Sequence, residues 1–462
     1  MSAKNIEAIY PLSPLQQGML FHTLCAPEAA VYFGQFHCTL QGDINVDGIK
    51  WAWQRAVDRH PILRTALVWE NLDQPLQVVG RHVKLSFVEQ DWRGMSPLAQ
   101  QESLERFLQA DRGQGFDLAH APVMRLMLIR LAEDSYHFIW SRPLLLLDGW
   151  SVALLLNEIA ALYDAFCQGK QVNLGRCRPY ADYISWLQQQ DLSQAEAFWR
   201  RTLQGFTAPT PLGVDHAAEA GEQQEVFGAE ETQFTGDKTE ALQEFARRER
   251  LTLNVIAQGA WALLLSRYSG CDDVVFGATV SGRPPQLEGV DSMLGLFINT
   301  VPVRVKLPPE IALLPWLQTI QEQQLEMLLY EHSPLVEVQK WSDAPRGLSL
   351  FETVVIFENF PVAQSARERA DDIKTHRPSL FERTNYPLTL VVEPGPELMI
   401  QILYDSRRFD QETITRMLDH FSALIDDMIA CPAKNLAGFS VVTVKEREQI
   451  LDSFNADLEV SF

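Results

Sequence analysis

The chain has 462 residues, 46% of them hydrophobic and 21% charged, and its 39 Lys and Arg against 60 Asp and Glu leave a net charge of −21. That length predicts more than one folded unit, and the balance of apolar and charged residues excludes a mainly disordered chain. An acidic surface repels phosphate backbones and anionic lipid, which disfavours nucleic acid and membrane surfaces as partners.

In chain order, the opening Met1–Tyr10 is polar and mixed and lacks the pattern of a signal peptide. From Asp47 to Arg59, the residues Ile49, Ala52, Trp53, Ala56 and Val57 recur at helical spacing, and Pro61 marks the end of that helix. Phe116–Leu131 and Ser135–Trp140 have β character. Val152–Phe166 reads as a helix with Ser151 as its cap, so Asp148-Gly149 forms the corner of a strand–turn–helix unit. Pro143 lacks a backbone N–H and predicts a strand end just before that corner. The apolar stretch Leu144–Phe166 is interrupted by Asp148, Asn157, Glu158 and Asp164, which argues against a membrane span.

Beyond residue 168 the texture changes. An amphipathic helix runs from Tyr180 to Phe198, and Pro209–Gly236 is rich in Ala, Gly and Glu, which predicts a loop or linker. Helices follow at Thr239–Arg250, Leu253–Tyr268, Glu310–His332 and Gln411–Met428, with strands at Asp273–Val280, Leu296–Val305, Phe351–Phe357 and Leu388–Val392. This alternation predicts a mixed α/β (α+β) protein. Cys25, Cys38, Cys167, Cys177, Cys271 and Cys431 form no CxxC pair, which argues against a zinc site or a disulfide scaffold and for a reducing, cytoplasmic setting.

Several stretches together resemble the condensation domains of nonribosomal peptide synthetases. They are Tyr10-Pro-Leu-Ser-Pro-Leu-Gln-Gln-Gly-Met-Leu20, Arg59-His-Pro-Ile-Leu-Arg-Thr65, Tyr180-Ala-Asp-Tyr-Ile-Ser-Trp186, Leu294-Gly-Leu-Phe-Ile-Asn-Thr300, His332-Ser-Pro-Leu335 and Phe351–Pro361. They occur in the family's order over nearly the whole chain. The resemblance implies two chloramphenicol-acetyltransferase-like lobes in a V-shaped pseudo-dimer with a central tunnel. The lobes are expected at residues 1–175 and 176–451, with 452–462 as the start of a linker. It also implies amide formation between donor and acceptor substrates carried as thioesters on the phosphopantetheine arms of two peptidyl carrier proteins. A neighbouring adenylation domain is implied as well, with a monomeric state for the isolated domain and no bound cofactor or metal.

One family motif departs from its pattern. His-His-x-x-x-Asp-Gly becomes Pro143-Leu-Leu-Leu-Leu-Asp-Gly149, so Pro143 and Leu144 stand where the histidine pair belongs, while Asp148 and Gly149 remain. The second histidine would take a proton from the attacking amine or position it, a contribution of about 10²–10⁴-fold in such reactions, and leucine cannot supply it. This predicts an inactive or impaired condensation domain, or alternatively a non-catalytic scaffold that docks carriers or recruits enzymes. His137 is the nearest histidine in sequence and reads either as structural or as a tunnel residue.

The resemblance makes Asp148 a structural partner of an arginine, with Arg283 in Ser281-Gly-Arg-Pro284 the first candidate and Arg59 the second; Gly149 would supply a tight turn. Trp150 lines the channel or belongs to the core. Asn299 bonds substrate or arm, or caps a strand end. Asn385 opens a strand that would border the tunnel. Arg247–Arg250 is a solvated helix face or a carrier-docking patch.

Overall fold

A computed structural model of the chain describes residues 5–26, 31–215, 227–358, 373–443, 445–449 and 451. The chain forms two compact units, the first from residues 1–190, 281–298 and 360–385 and the second from 191–280, 299–359 and 386–462. The first therefore takes in two late stretches that a linear division at residue 175 assigns to the other side. The expected linker at 452–462, residues 216–226 of the expected loop and 359–361 of the last motif lie outside the described residues.

The first unit begins β1 (Ile6–Pro11), α1 (Pro14–Cys25), β2 (Phe33–Gly42), α2 (Val46–Arg59), β3 (Thr65–Val68), β4 (Leu76–Gly80), β5 (Phe87–Asp91) and α3 (Pro97–Gln114). It continues β6 (Arg125–Ala132), β7 (Ser135–Pro143), α4 (Gly149–Cys167) and α5 (Ala181–Gln188). In the second unit come α6 (Leu192–Thr202), β8 (Phe227–Gln233), α7 (Gly236–Glu249), α8 (Leu253–Ser269), β9 (Asp273–Val280), β10 (Asn299–Lys306), α9 (Leu313–Met327), α10 (Leu335–Trp341) and β11 (Thr353–Phe357). Strand β12 (Ile373–Glu382) returns to the first unit, and β13 (Leu388–Glu393), β14 (Met399–Asp405) and α11 (Gln411–Ala430) complete the second.

Two sheets shape the first unit, a five-stranded one ordered β12-β2-β7-β6-β5 and a three-stranded one ordered β1-β4-β3. Pairing of β12 with β2, from Ile373↔Gly42 to Glu382↔Gly34, is what draws the distant stretch 360–385 into this unit. The second unit has one six-stranded sheet, β10-β9-β11-β13-β14-β8. Helix α8 is buried continuously from Val255 to Ser266; a helix apolar on all sides belongs inside a core.

Several elements depart from the expected boundaries. Helix α4 opens at Gly149 because Asp148, not Ser151, is its N-cap, with its carboxylate accepting the Ser151 N–H at 2.8 Å. The single helix expected over Tyr180–Phe198 is two, α5 and α6, with Asp191 capping the second through the Ser193 N–H. The expected loop at Pro209–Gly236 contains β8, an edge strand whose alternating exposure explains its shortage of large apolar residues. The helix expected over Glu310–His332 stops at Met327 and tightens into a 3₁₀ turn at Leu328–Tyr330.

Helix α4 is long and apolar enough to span a membrane by length and composition alone. In the fold its Val152, Leu155, Ile159 and Leu162 sit in the apolar core of the first unit, and the helix packs against α2. That periodicity is what a core-facing helix requires. All six cysteines are free.

Candidate active site

The site is assembled where β7 ends and α4 begins. Pro143 is the last residue of β7 and stands opposite Phe33 of β2, a strand-end place where a missing N–H is tolerated. Leu144 donates its amide to the Tyr32 carbonyl at 2.7 Å. Its side chain is 8% exposed within the apolar core, and Cδ2 sits 2.8 Å from where a Cβ on Gly34 would begin. The position that should present an imidazole is thus filled by packed hydrocarbon.

Asp148 gathers the surrounding backbone. Besides capping α4, its carboxylate accepts the Phe297 N–H at 3.0 Å, and its own N–H donates to the Gly295 carbonyl at 3.1 Å. Arg283 Nη2 lies 3.2 Å from Asp148 Oδ1, with side chains 4% and 1% exposed. The same nitrogen donates to Ser151 Oγ at 2.9 Å, while Nη1 donates to the carbonyls of Val290 at 2.6 Å and Met293 at 3.1 Å. Ser151 Oγ in turn donates to the Gly295 carbonyl at 2.8 Å and accepts the Gly295 N–H at 3.0 Å. Burial pulls the Arg283 pKa below the usual guanidinium value, and the Asp148 charge opposes that pull. Both ionic groups therefore have dense polar coordination, which a desolvated pair needs. Gly282 makes the approach possible: its φ is +57°, and a Cβ there would lie 1.9 Å from the Phe297 carbonyl oxygen.

Other expected residues fall as follows. Arg59 does not reach Asp148; it meets Glu158 at 3.2 Å and donates to the carbonyls of Leu174 and Gly175. Gly149 opens the helix and is not among the glycines with positive φ, so it supplies no left-handed turn. The indole N–H of Trp150 donates to the Asp291 carbonyl at 2.9 Å, and the Arg283 guanidinium sits 5.6 Å from its ring. Asn299, in the second unit, spends its side chain on local backbone, donating to the carbonyls of Glu331 and Ser333 and accepting the Thr300 N–H. Arg247 and Arg248 lie exposed at the end of α7, and Arg248 pairs with Glu249.

Asn385 occupies a more telling place. Its Oδ1 accepts the Tyr32 hydroxyl at 2.5 Å and its Nδ2 faces His22 Nε2 at 3.3 Å. Tyr32, held at a positive φ of 58°, is the residue whose carbonyl takes the Leu144 N–H. Neither His22 nor Tyr32 belongs to a family motif, although His22 lies just past Leu20, where the first motif ends. Burial holds the His22 pKa below the ordinary histidine value. Arg142 and Glu382, paired at 2.7 Å, were also unread; the available signal was a lone cation inside an apolar strand.

His137 points to a structural assembly. Its Nδ1 meets Thr39 Oγ1 at 3.1 Å and its Nε2 meets His37 Nδ1 at 3.2 Å. Burial, and then the neighbouring His37, push its pKa from 6.5 down to about 4. The unfolded chain takes up a proton below pH 6.5 that folded His137 resists until about pH 4. Its stabilisation is therefore complete above 6.5 and lost as pH falls through that window, a loss of about 3 kcal/mol. Urea titrations at neutral and mildly acidic pH should show this slope in the natural chain and a flatter one in His137→Gln; equal slopes would remove His137 as the cause.

The family model described as Condensation domain matches residues 6–451, and the chain belongs to that family, as a condensation domain of the nonribosomal peptide synthetase type. Amide-bond formation is the family's general reaction. Among curated relatives, linear gramicidin synthase subunits C and D of Brevibacillus parabrevis are each 44% identical over 453 and 457 residues, 98% of this chain. The chain spans only 6% and 9% of their lengths.

Solved structures share the fold. The starter condensation domain of rhizomide synthetase RzmA superposes with a TM-score of 0.77 at 17% identity, covering 95% of this chain and 100% of that one. Holo-AB3403, a four-domain nonribosomal peptide synthetase, gives 0.79 at 17% identity, covering 95% of this chain and 34% of that one. The fold is accordingly the chloramphenicol-acetyltransferase-like fold of condensation domains.

Proposed function

We propose that this domain receives donor and acceptor substrates on the phosphopantetheine arms of two peptidyl carrier proteins, beside a neighbouring adenylation domain, and forms the amide between them at a greatly reduced rate. The observation that carries this reading is Leu144: an apolar side chain packed against Gly34 where the family places its imidazole.

In amide synthesis the acceptor's amine attacks the donor's thioester carbonyl carbon, the carbon–sulfur bond breaks, and the thiolate leaves on the donor's arm. The amine nitrogen must shed a proton during this sequence. No group at position 144 can accept it, and His137 is committed to Thr39 and His37. Juxtaposition of two tethered reactants still lowers the barrier by removing the entropy of encounter, which leaves a slow, uncatalysed proton transfer to water. Asp148 and Arg283 act here as positioning residues, because their bonding is spent on Ser151, Phe297 and Gly295.

The intact Asp148 network favours a second reading, a non-catalytic scaffold that docks carriers or recruits enzymes. Donor and acceptor carriers loaded with their thioesters, incubated with the domain and examined by mass spectrometry, distinguish the two. Slow product above a domain-free control supports impaired catalysis; carrier binding without any such product supports the scaffold. Product at the rate of a histidine-restored variant overturns both.

A further inference from the structure

Outside the residues bound to Asp148, three chemically matched side chains of the first unit come together: Cys177, His60 and Glu158. Glu158 Oε1 lies 3.0 Å from His60 Nε2, and the same oxygen faces Arg59 Nε at 3.2 Å. The thiol of Cys177 is hydrogen-bonded to the His60 ring. Because Nε2 serves Glu158 and must carry a proton to do so, Nδ1 is the ring nitrogen left to accept from the thiol. Thiol, imidazole and carboxylate thus stand in the order that activates a nucleophile: the base takes the proton and the carboxylate fixes its tautomer.

The surroundings favour a thiolate. Cys177 stands between Arg176 and Arg178 in the chain, and Arg59 donates to the carbonyls of Leu174 and Gly175 on the same loop, at 3.0 and 2.9 Å. Positive charge of this kind and partial exposure mark reactive cysteines, whereas structural ones are buried in hydrocarbon. Cys177 is half-buried, while Cys38 is 3% exposed within the apolar core. The Cys177 sulfur also lies 3.5 Å from the carbonyls of Arg178 and Ser292. Those oxygens are weak acceptors that cannot take the proton outright; the imidazole can. Burial alone would lower the His60 pKa, but bonding to Cys177 and Glu158 holds it above the ordinary histidine value, which suits a proton acceptor.

We propose that Cys177 is a redox modification site that forms a mixed disulfide with a low-molecular-weight disulfide bearing carboxylates. In this step the Cys177 proton passes to His60 Nδ1, and the thiolate attacks one sulfur of the incoming disulfide. The S–S bond of the reagent breaks, a new S–S bond to Cys177 forms, and the departing thiolate takes the proton back from His60. Cys177 is oxidised and the released half is reduced to a thiol, so no other oxidant is needed. The arginines select the anionic reagent, on a chain whose net charge of −21 otherwise repels it. A bulky adduct displaces Cys177 from the Ser292 carbonyl, beside the Val290 and Met293 carbonyls that hold Arg283. Oxidation therefore loosens the stretch that carries the partner of Asp148.

The reaction of each cysteine with glutathione disulfide at neutral pH, quenched with acid and followed by peptide mass spectrometry, tests this. Cys177 should react about ten-fold faster than Cys25, Cys167 and Cys431, although those three are exposed, because an ordinary thiol is only a few per cent ionised at that pH. Its preference for glutathione disulfide over the cationic cystamine should also exceed that of Cys431. His60→Gln removes the proton acceptor and Glu158→Gln the charge that stabilises it, so both should slow Cys177 several-fold and leave Cys431 unchanged. Buried Cys38 reacts only if the chain opens, and so reports whether a variant is folded. If His60→Gln does not fold, Glu158→Gln and the comparison among cysteines decide. Cys177 reacting no faster than the exposed cysteines, a rate unmoved in the folded variants, or a reagent preference no greater than that of Cys431 would overturn the proposal.

Discussion

Placing histidine at both 143 and 144 should raise the rate of amide formation from loaded carriers by about 10²–10⁴-fold, equivalent to lowering the barrier by roughly 3–5 kcal/mol. The backbone is already in place to present the side chain. Leu144 is anchored by its N–H to the Tyr32 carbonyl, and four residues on Asp148 caps α4, so both flanks of the motif are held. Leu144→His alone should recover most of the gain, because the proton acceptor belongs at the second position; Pro143→His alone should recover little. An imidazole there enters a site that is 8% exposed, so the restored variant should lose about 1–3 kcal/mol of stability if its ring finds no partner. A proton-accepting histidine also leaves a mark in the pH profile, a rise through its own pKa, which burial at this site holds below the ordinary histidine value and which the natural chain should lack. Equal rates before and after the substitution, with carrier binding intact, would show that the missing imidazole is not what limits this domain.

How much of this could be seen in the sequence depended on whether the physical cause was local. Helix α2 was legible within a residue because its apolar stripe is complete and Pro61 follows it. Helix α3 was not, because only Leu108 and Asp111 are buried and its other faces are polar, leaving no stripe to count. Strand β12 was invisible for a different reason: its place is decided by pairing with β2, more than 300 positions earlier in the chain. The Asp148–Arg283 juxtaposition followed from the family motif together with the cost of a buried carboxylate. What no pattern carried was the bonding of Ser151, which read as a helix cap and instead links Gly295 to Arg283. The His22–Asn385–Tyr32 chain was equally hidden, since 353 positions separate Tyr32 from Asn385.

Asp148→Ala should destabilise the domain by about 3–5 kcal/mol, the usual cost of removing one partner from a buried ion pair. The carboxylate leaves three donors behind: the Ser151 N–H at the start of α4, the Phe297 N–H, and the Arg283 guanidinium. Arg283 keeps the Val290 and Met293 carbonyls, but these are neutral acceptors and do not balance a charge whose side chain is 4% exposed. For a domain of 462 residues the loss corresponds to a fall in Tm of roughly 3–5 °C, measurable by circular dichroism. Arg283→Met should cost a comparable amount by stranding the carboxylate. The double variant should cost less than the sum of the singles by at least about 1 kcal/mol, because the second substitution removes the group that the first left unpaired. Asp148→Asn should fall between, keeping an oxygen for the helix cap while abandoning the charge. Because the same carboxylate ties stretch 281–298 to the start of α4, Asp148→Ala should also open that stretch to proteolysis before the rest of the unit. A loss within about 1 kcal/mol, or single-variant costs that simply add, would mean that Arg283 is held by the backbone carbonyls and by the face of Phe297, 4.0 Å away, rather than by Asp148.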